Sequence, residues 1–157
     1  MIVVAQRVAQ AAVEVDGQEV ARIARGLCLL ACAVAGDGDG EVDWLADKIS
    51  GLRVFEDDAG RTNLALADVG GAVLLVPQFT LAADWRKGRR PSFTAAAPPE
   101  EARRLLERLG AGLSARGVPV ATGSFGASMR VALVNDGPFT LLLNSRERPA
   151  GRPAAST

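Results

Sequence analysis

A chain of 157 residues, 48% of them hydrophobic, is long enough to form one domain with a substantial apolar core. Its 18 basic residues balance its 18 acidic ones, so a polyanionic partner would have to meet a local basic patch rather than a field of the whole molecule. The sequence contains no histidine, which excludes a histidine general base, a Ser-His-Asp triad and a histidine-ligated metal.

The first part of the chain predicts strands joined by tight turns. Strands are predicted over residues 2–8, 11–15, 18–23 and 26–34. Asp16-Gly17 is a preferred dipeptide of two-residue hairpin turns. The run 26–34 is almost wholly apolar and has glycines near both ends, which is typical of a strand buried on both faces. Residues 36–40 are predicted to be a solvated turn, because they lack the spaced ligands and closing Glu of an EF-hand calcium loop.

Two helices and a second group of strands are predicted for the rest of the chain. Asp39 can cap a helix whose apolar positions recur at helical spacing, namely Val42, Leu45, Ala46, Ile49 and Leu52. Pro98-Pro99 opens the second helix and Gly117 ends it. Further strands are predicted over residues 53–56, 62–66, 72–76, 118–121, 129–135 and 139–145.

This order of elements predicts a single α/β domain over residues 1–145. With only two main helices among many strands, regular βαβ alternation fails, and a curled, barrel-like mixed sheet fits better. Such a sheet leaves edges that a second subunit could cover. Residues 146–157 carry two prolines and no apolar periodicity, so we predict a disordered tail there.

The two cysteines, Cys28 and Cys32, lie in an apolar run where nothing nearby would lower a thiol pKa. A redox pair is possible in principle, but buried core thiols are favoured, and two cysteines alone make a poor metal site. We therefore expect chemistry without a metal, a cofactor, a thiolate or an imidazole. No apolar run approaches the roughly 18 residues of a membrane span, and no secretory signal is visible, so we expect a cytoplasmic location and no membrane contact.

Polar residues follow the predicted strand 72–76, at a strand end where functional sites often lie. Gln78 and Thr80 come first, and four cations follow within five residues: Arg86, Lys87, Arg89 and Arg90. A solvated basic loop and a phosphate-binding patch are both compatible with this run. It is the densest basic cluster in a chain of zero net charge, which raises the weight of the second interpretation.

A second polar segment, Asn135-Asp136-Gly137-Pro138, interrupts two strongly predicted strands. Asp-Gly and X-Pro are turn signals, so an ordinary hairpin turn is one interpretation. Pro138 cannot donate to a strand ladder, Gly137 allows close approach of the backbone, and X-Pro bonds adopt cis at modest cost. The segment could therefore instead push main-chain carbonyls into a pocket.

Together the two segments closely resemble the signature motifs of the D-aminoacyl-tRNA deacylase family. The family pattern is Ser-Gln-Phe-Thr-Leu, then Ala-Asp, a basic Gly-Arg-Pro-Ser-Phe stretch, and later Asn-Xaa-Gly-Pro-Xaa-Thr. The corresponding motifs here are Gln78-Phe79-Thr80-Leu81, Ala83-Asp84, Gly88-Arg89-Arg90-Pro91-Ser92-Phe93 and Asn135-Asp136-Gly137-Pro138-Phe139-Thr140. The resemblance extends from Met1 to about Ser145 and includes Phe125-Gly126-Ala127.

The resemblance implies a homodimer with its sites at the interface. In the family, the glycine–proline pair has a cis bond and reaches from one subunit into the pocket of the other, which here involves Gly137 and Pro138. Its backbone fills the volume that an L side chain would need, whereas D residues and glycine escape the clash. Arg7 matches the arginine that supports the pair.

The resemblance also implies hydrolysis of D-aminoacyl-tRNA and glycyl-tRNA as chiral proofreading. The ester would lie near Gln78, Phe79 and Thr80, with Ala127 and Met129 in the substrate pocket. Since no base is available to activate Thr80, we expect it to position the substrate while main-chain N–H groups stabilise the oxyanion. The family is also thought to recruit the 2′-hydroxyl of the terminal adenosine of the tRNA.

Pro77 departs from the family pattern, which has serine at that position. A related group that edits L-alanyl-tRNA has a similar Pro-Gln opening and a trans glycine–proline bond, so a deacylase of relaxed chirality is the first alternative. Phe79 and Arg7 favour the D-specific branch. A nucleic-acid-binding module without turnover is the second alternative, although it would not need the pocket residues.

Overall fold

The computed structural model describes residues 1–149 as one α/β domain. Its strands are β1 Ile2–Val15, β2 Gln18–Ile23, β3 Gly26–Cys32, β4 Phe55–Glu56, β5 Thr62–Leu64, β6 Ala72–Pro77, β7 Val120–Thr122 and β8 Met129–Asn144. The helices are α1 Asp39–Ser50 and α2 Pro99–Ser114, and short 3₁₀ helices span Ala67–Val69, Phe79–Ala82 and Ser145–Glu147. Both predicted main helices are confirmed.

The main sheet is mixed and curls around the long strand β1. The first half of β1 pairs with β3 and the second half pairs with β2. Strand β8 pairs antiparallel with β1 along nearly the whole length of β1. The strands β3, β6 and β7 continue the sheet in parallel. The predicted nearly closed, barrel-like mixed sheet is therefore confirmed.

Strands β3 and β6 bury both of their faces, as their continuous apolar runs predict. Leu27 and Leu29 pack into the core beneath the two helices, together with Leu45 and Leu105. Cys28, on the opposite face of β3, belongs to a second core inside the curled sheet. Because both sides of these strands are packed, the ends of β3 and β6 are held in fixed positions.

Two pairs of predicted strands are each one continuous strand. The predicted strands 2–8 and 11–15 are both part of β1. The predicted strands 129–135 and 139–145 are both part of β8, which ends one residue earlier than predicted. The strands are continuous because β1 and β8 pair on both sides of a local irregularity in the ladder, and the chain direction of β8 does not reverse there. The interpretation of residues 135–138 as an ordinary hairpin turn is therefore wrong.

The start of α1 and the end of the chain differ from the expectation in detail. Gly38, not Asp39, is the N-cap residue, because its N–H donates to the Glu41 carboxylate at 2.9 Å. Residues 145–147 form a 3₁₀ turn. The remainder of the predicted tail beyond residue 149 lies outside the described residues. No helix within residues 1–149 is long and apolar enough to cross a membrane.

The close approach of β3 to β6 gives a test of the fold at Gly26. A Cβ atom there would lie 1.8 Å from the main-chain oxygen of Ala72, its ladder partner. We expect Gly26→Ala to lower the free energy of unfolding by about 3 kcal/mol or more, because backbone must move. Urea denaturation measures this change.

The matched control is Gly110→Ala in α2, where a new methyl group would meet Leu75 at an ordinary 3.6 Å. Removing a helical glycine should stabilise the protein by about 0.5–1 kcal/mol. Equal denaturation midpoints for the two variants would contradict the described packing of β3 on β6.

Candidate functional site

The candidate site is a cleft of about 750 Å³ beyond the carboxyl ends of β3 and β6. These strands are parallel and pair Ala31 with Pro77, so both ends open at one edge of the sheet. The start of α2 and residues 125–129 complete the walls. Ligands of α/β folds bind in such crevices, because the loops that follow parallel strands converge there.

Gln78 and Phe79 line the cleft where the chain turns away from β6, whereas Thr80, the next residue, is not among the residues that line it. The Gln78 N–H donates to the Ala31 carbonyl at 2.8 Å, which continues the β3–β6 pairing for one more residue. A short 3₁₀ helix, Phe79–Ala82, then starts. The side-chain amide of Gln78 donates to the Thr80 hydroxyl, which fixes both side chains relative to each other.

Two main-chain donors of this segment are free. Among residues 1–149, the N–H groups of Phe79 and Thr80 have no hydrogen-bond acceptor. They are the first two N–H groups of a 3₁₀ helix, and the first turn of a helix leaves such donors unsatisfied. Adjacent free N–H groups beside a cleft suit the binding of an anionic or strongly polarised oxygen.

Aromatic rings line the mouth of the cleft. Phe79 is 58% exposed and meets Phe93 edge to face, with 5.2 Å between the ring centroids. Phe125 also lines the cleft, and the Arg103 guanidinium lies 4.5 Å from the centroid of its ring. No role is predicted from the sequence for Phe93 or Arg103, because only the folded chain brings Phe93 to the cleft and Arg103 to Phe125.

The predicted pocket residues Ala127 and Met129 line the same cleft as Gln78 and Phe79. They come from the segment 125–129, which leads into β8. Both are half-buried, so they can contact a bound molecule. The structure thus brings together the pocket residues drawn from two distant sequence motifs.

Arg7 and the Gly137-Pro138 pair form a separate cluster that does not line this cleft. β1 pairs Gln6 with Thr140 and Val8 with Asn135, so residues 136–139 bulge out opposite Arg7. The peptide bond between Gly137 and Pro138 is cis, as the resemblance implies. Both residues of the pair are exposed.

The Arg7 guanidinium ties the bulge to the sheet. Its Nε donates to the Asp136 carbonyl at 2.8 Å, Nη2 to the Gly137 carbonyl at 2.9 Å and Nη1 to the Val54 carbonyl at 2.6 Å. The residue is only 4% exposed, and its guanidinium lies 4.7 Å from the centroid of the Phe139 ring. A buried cation that satisfies three carbonyls holds the bulge in one position.

The four predicted cations, Arg86, Lys87, Arg89 and Arg90, all lie exposed in one loop, residues 85–91, here called the basic loop. A two-way backbone pairing between Asp84 and Ser92 closes the loop, with N–O distances of 2.7 and 2.8 Å. Phe93 follows directly and lines the cleft. The basic loop is therefore anchored beside the cleft.

The thiols are buried, as the sequence predicts. Burial raises the pKa of Cys28 to about 11. Burial also raises the pKa of Cys32, against a smaller lowering by the backbone of Ala82. Both thiols stay protonated at neutral pH and are poor nucleophiles. Within the described part of the chain, no group of three or more Cys, Asp and Glu side chains could hold a metal ion.

Comparison with known proteins gives the family. The model of the D-Tyr-tRNA(Tyr) deacylase family matches residues 4–144. The chain belongs to this family. A D-aminoacyl-tRNA deacylase of Thermomicrobium roseum is 55% identical over 151 residues, which are 96% of this chain and 98% of that protein. Its namesake in Ruegeria pomeroyi is 54% identical over 139 residues, covering 88% and 96% of the two chains. As a member of the deacylase family, the chain is a hydrolase.

Two solved structures share the fold of this chain. One, titled c-Myc DNA Unwinding Element Binding Protein, is 37% identical with a TM-score of 0.86, covering 92% of this chain and 98% of that one. Another, titled a probable eukaryotic D-amino acid tRNA deacylase, is 19% identical with a TM-score of 0.76, covering 90% and 97%. The second likeness shows the shared fold alone.

The Arg7 contacts give a testable consequence for the bulge at residues 136–139. In Arg7→Met the three carbonyls lose their donor, and we expect the free energy of unfolding to fall by roughly 2–4 kcal/mol. Faster amide hydrogen exchange at Gly137 and Phe139 should accompany the loss. The matched control is Arg22→Met, which removes an exposed ion pair with Glu19 and should leave the denaturation midpoint close to that of the wild type. Equal effects of the two variants would show that Arg7 does not hold the bulge.

Proposed function

We propose that this chain hydrolyses the ester of D-aminoacyl-tRNA and of glycyl-tRNA, releasing free tRNA and the amino acid as a chiral proofreading step in translation. The observation that carries the proposal is the pair of free N–H groups, on Phe79 and Thr80, beside the cleft of a member of the deacylase family. Phe79 lines the cleft and Thr80 follows it, which supports binding of the ester carbonyl against these two donors.

The proposed chemistry is attack of water on the ester carbon. As the carbon–oxygen bond forms, the carbonyl oxygen becomes an oxyanion, which the N–H groups of Phe79 and Thr80 stabilise. Collapse of this intermediate breaks the bond to the ribose oxygen, which leaves with the proton that the water gives up. The neighbouring ribose 2′-hydroxyl, as the family resemblance implies, assists in place of a side-chain base.

Thr80 is better suited to positioning than to nucleophilic attack. Its hydroxyl oxygen accepts from the Gln78 amide, and an amide cannot remove a proton from it. The chain has no histidine, and the cleft walls contain no carboxylate. An ester activated by its neighbours needs little more than orientation and oxyanion contacts.

Chiral selection is proposed to come from the Gly137-Pro138 backbone of a second subunit. The pair is exposed and does not line the cleft of its own chain, which supports a role in the cleft of a neighbouring subunit. Val134 and Leu142, which flank it on β8, are 50% and 67% exposed. Large apolar side chains exposed on one strand are typical of an interface, which supports a homodimer.

The basic loop is proposed to bind tRNA phosphates. It is anchored next to Phe93 at the cleft, and its four cations are exposed. One of them, Arg86, lies 3.4 Å from the Asp84 carboxylate, which leaves the other three without an ion pair among the described residues. Free cations beside the cleft suit the acceptor end of an aminoacyl-tRNA.

A relaxed-chirality deacylase acting on L-alanyl-tRNA is the second candidate, and Pro77 is the observation that favours it. Pro77 ends β6 and lines the cleft, so both the serine hydroxyl and one N–H of the family pattern are absent from the wall. A binding module without turnover is the third candidate. This third candidate predicts that the chain binds aminoacyl-tRNA but does not hydrolyse its ester.

A deacylation assay with D-, L- and glycyl-tRNA decides among these candidates. We expect turnover of the D and glycyl esters and rejection of the L ester, and we expect no change when a chelator is added. Turnover of L-alanyl-tRNA at a comparable rate would establish the relaxed branch. Loss of activity with chelator and recovery with zinc would contradict the metal-free mechanism.

Gly137→Ala tests whether the glycine–proline pair acts on a second subunit. A Cβ atom at residue 137 meets nothing within 4 Å in its own chain, so we expect the variant to fold with wild-type stability. In a partner's pocket the same methyl group would crowd the substrate and reduce kcat/KM for D and glycyl esters about tenfold or more.

The control is Gly17→Ala, at the tip of the β1–β2 turn, which should leave kcat/KM unchanged even if its positive φ lowers stability. A Gly137→Ala enzyme with wild-type kcat/KM on all three esters would show that residue 137 faces no substrate.

A further inference from the structure

Trp85 is the most exposed large apolar side chain in the described part of the chain, at 72%. It is the first residue of the basic loop, directly after Asp84. The other tryptophan, Trp44 on α1, packs against the core beneath the helices. Trp85 therefore contributes little to the packing of the described domain.

The residues next to Trp85 hold its backbone in position and leave its side chain exposed. The two Asp84–Ser92 hydrogen bonds clamp the base of the loop immediately before it. On the other side of this clamp, Phe93 enters the cleft wall and packs on Phe79. An exposed indole thus lies at the base of a clamped loop, next to an aromatic cleft mouth.

The charge around Trp85 is positive. Arg86, Lys87, Arg89 and Arg90 follow it within five residues, and Asp84 is the one carboxylate of the segment. Rows of cations beside an exposed aromatic ring are how proteins bind single-stranded nucleic acid: the cations follow the phosphates and the ring stacks on a base.

We propose that Trp85 is a stacking platform for an unpaired base in the 3′ end of the tRNA. This inference rests on the proposed function, because an ester bound near Phe79 brings the unpaired nucleotides that precede it past the rim formed by Phe93 and the basic loop. Stacking uses the face of a base, which every base has, so the contact serves tRNAs of any identity. Trp85 is a positioning residue: it affects binding of the RNA end, not the reacting atoms.

The experiment uses the full chain with Trp44→Phe, which makes Trp85 the only tryptophan. The probe is a non-acylated RNA hairpin that carries an acceptor stem with an unpaired ACCA 3′ end, compared with the same stem ending blunt. We expect the overhang hairpin to quench Trp85 fluorescence on binding and the blunt hairpin to leave it unchanged.

Affinity measurements on variants separate stacking from charge. Trp85→Ala should weaken binding of the overhang hairpin about 5- to 150-fold, Trp85→Phe should retain most of the affinity, and Trp85→Leu should not. None of these should change the slope of affinity against salt. The matched control, Arg89→Gln, should reduce that slope by about one phosphate contact.

In turnover, Trp85→Ala should raise KM for D-aminoacyl-tRNA and leave kcat within about twofold. The proposal is overturned if Trp85→Ala binds the overhang hairpin as tightly as the parent, or if its only effect is dissociation of the dimer in sedimentation, which would make Trp85 a subunit contact. Failure of the proposed function looks different: the parent protein would bind the hairpin but hydrolyse no ester.

Discussion

The hydrogen bonds of Arg7 are the interaction on which the proposed selectivity depends. Residues 136–139 leave the β1–β8 ladder opposite Arg7, and without a donor their carbonyls would have no fixed direction. The guanidinium supplies three donors in a rigid fork, to Asp136, Gly137 and Val54. A backbone wall can reject a side chain only if it does not yield, so a buried, fully bonded cation beneath it is the appropriate support.

The fold separates the tasks of the site between rigid elements. The clamped ends of β3 and β6 place Gln78 and the free N–H groups of Phe79 and Thr80, which are suited to the ester. Phe93 lines the cleft, and the basic loop that precedes it is suited to RNA. The bulge at residues 136–139 does not line the cleft of its own chain, so the proposed selection requires a second subunit to complete each site.

Local pattern predicted much of the fold, and its failures have physical causes. The prediction of strands β3 and β6 and of helix α1 is confirmed, because apolar runs and helical spacing are properties of short segments. The Asp-Gly-Pro sequence signals a reversal, yet pairing with β1 keeps β8 running in one direction, and no local pattern contains that partner. The same holds for Phe93, which reaches the cleft only through tertiary packing, and for Arg103, which packs over Phe125. Turn residues mark the segment 135–138 in the sequence, but its link to Arg7 follows only from the resemblance, because a contact across about 130 residues leaves no local signal.

Subunit complementation tests most directly whether residues 136–139 complete a neighbour's site. Ala127→Trp should fill the cleft of its own chain, since Ala127 lines it, and Gly137→Trp should block the cleft of the partner, so each homodimer should be inactive. We expect co-expression of the two variants to restore D-aminoacyl-tRNA hydrolysis, because a mixed dimer pairs one open cleft with one intact glycine. Mixed dimers that form and stay inactive would show that Gly137-Pro138 does not complete the site of a neighbouring subunit.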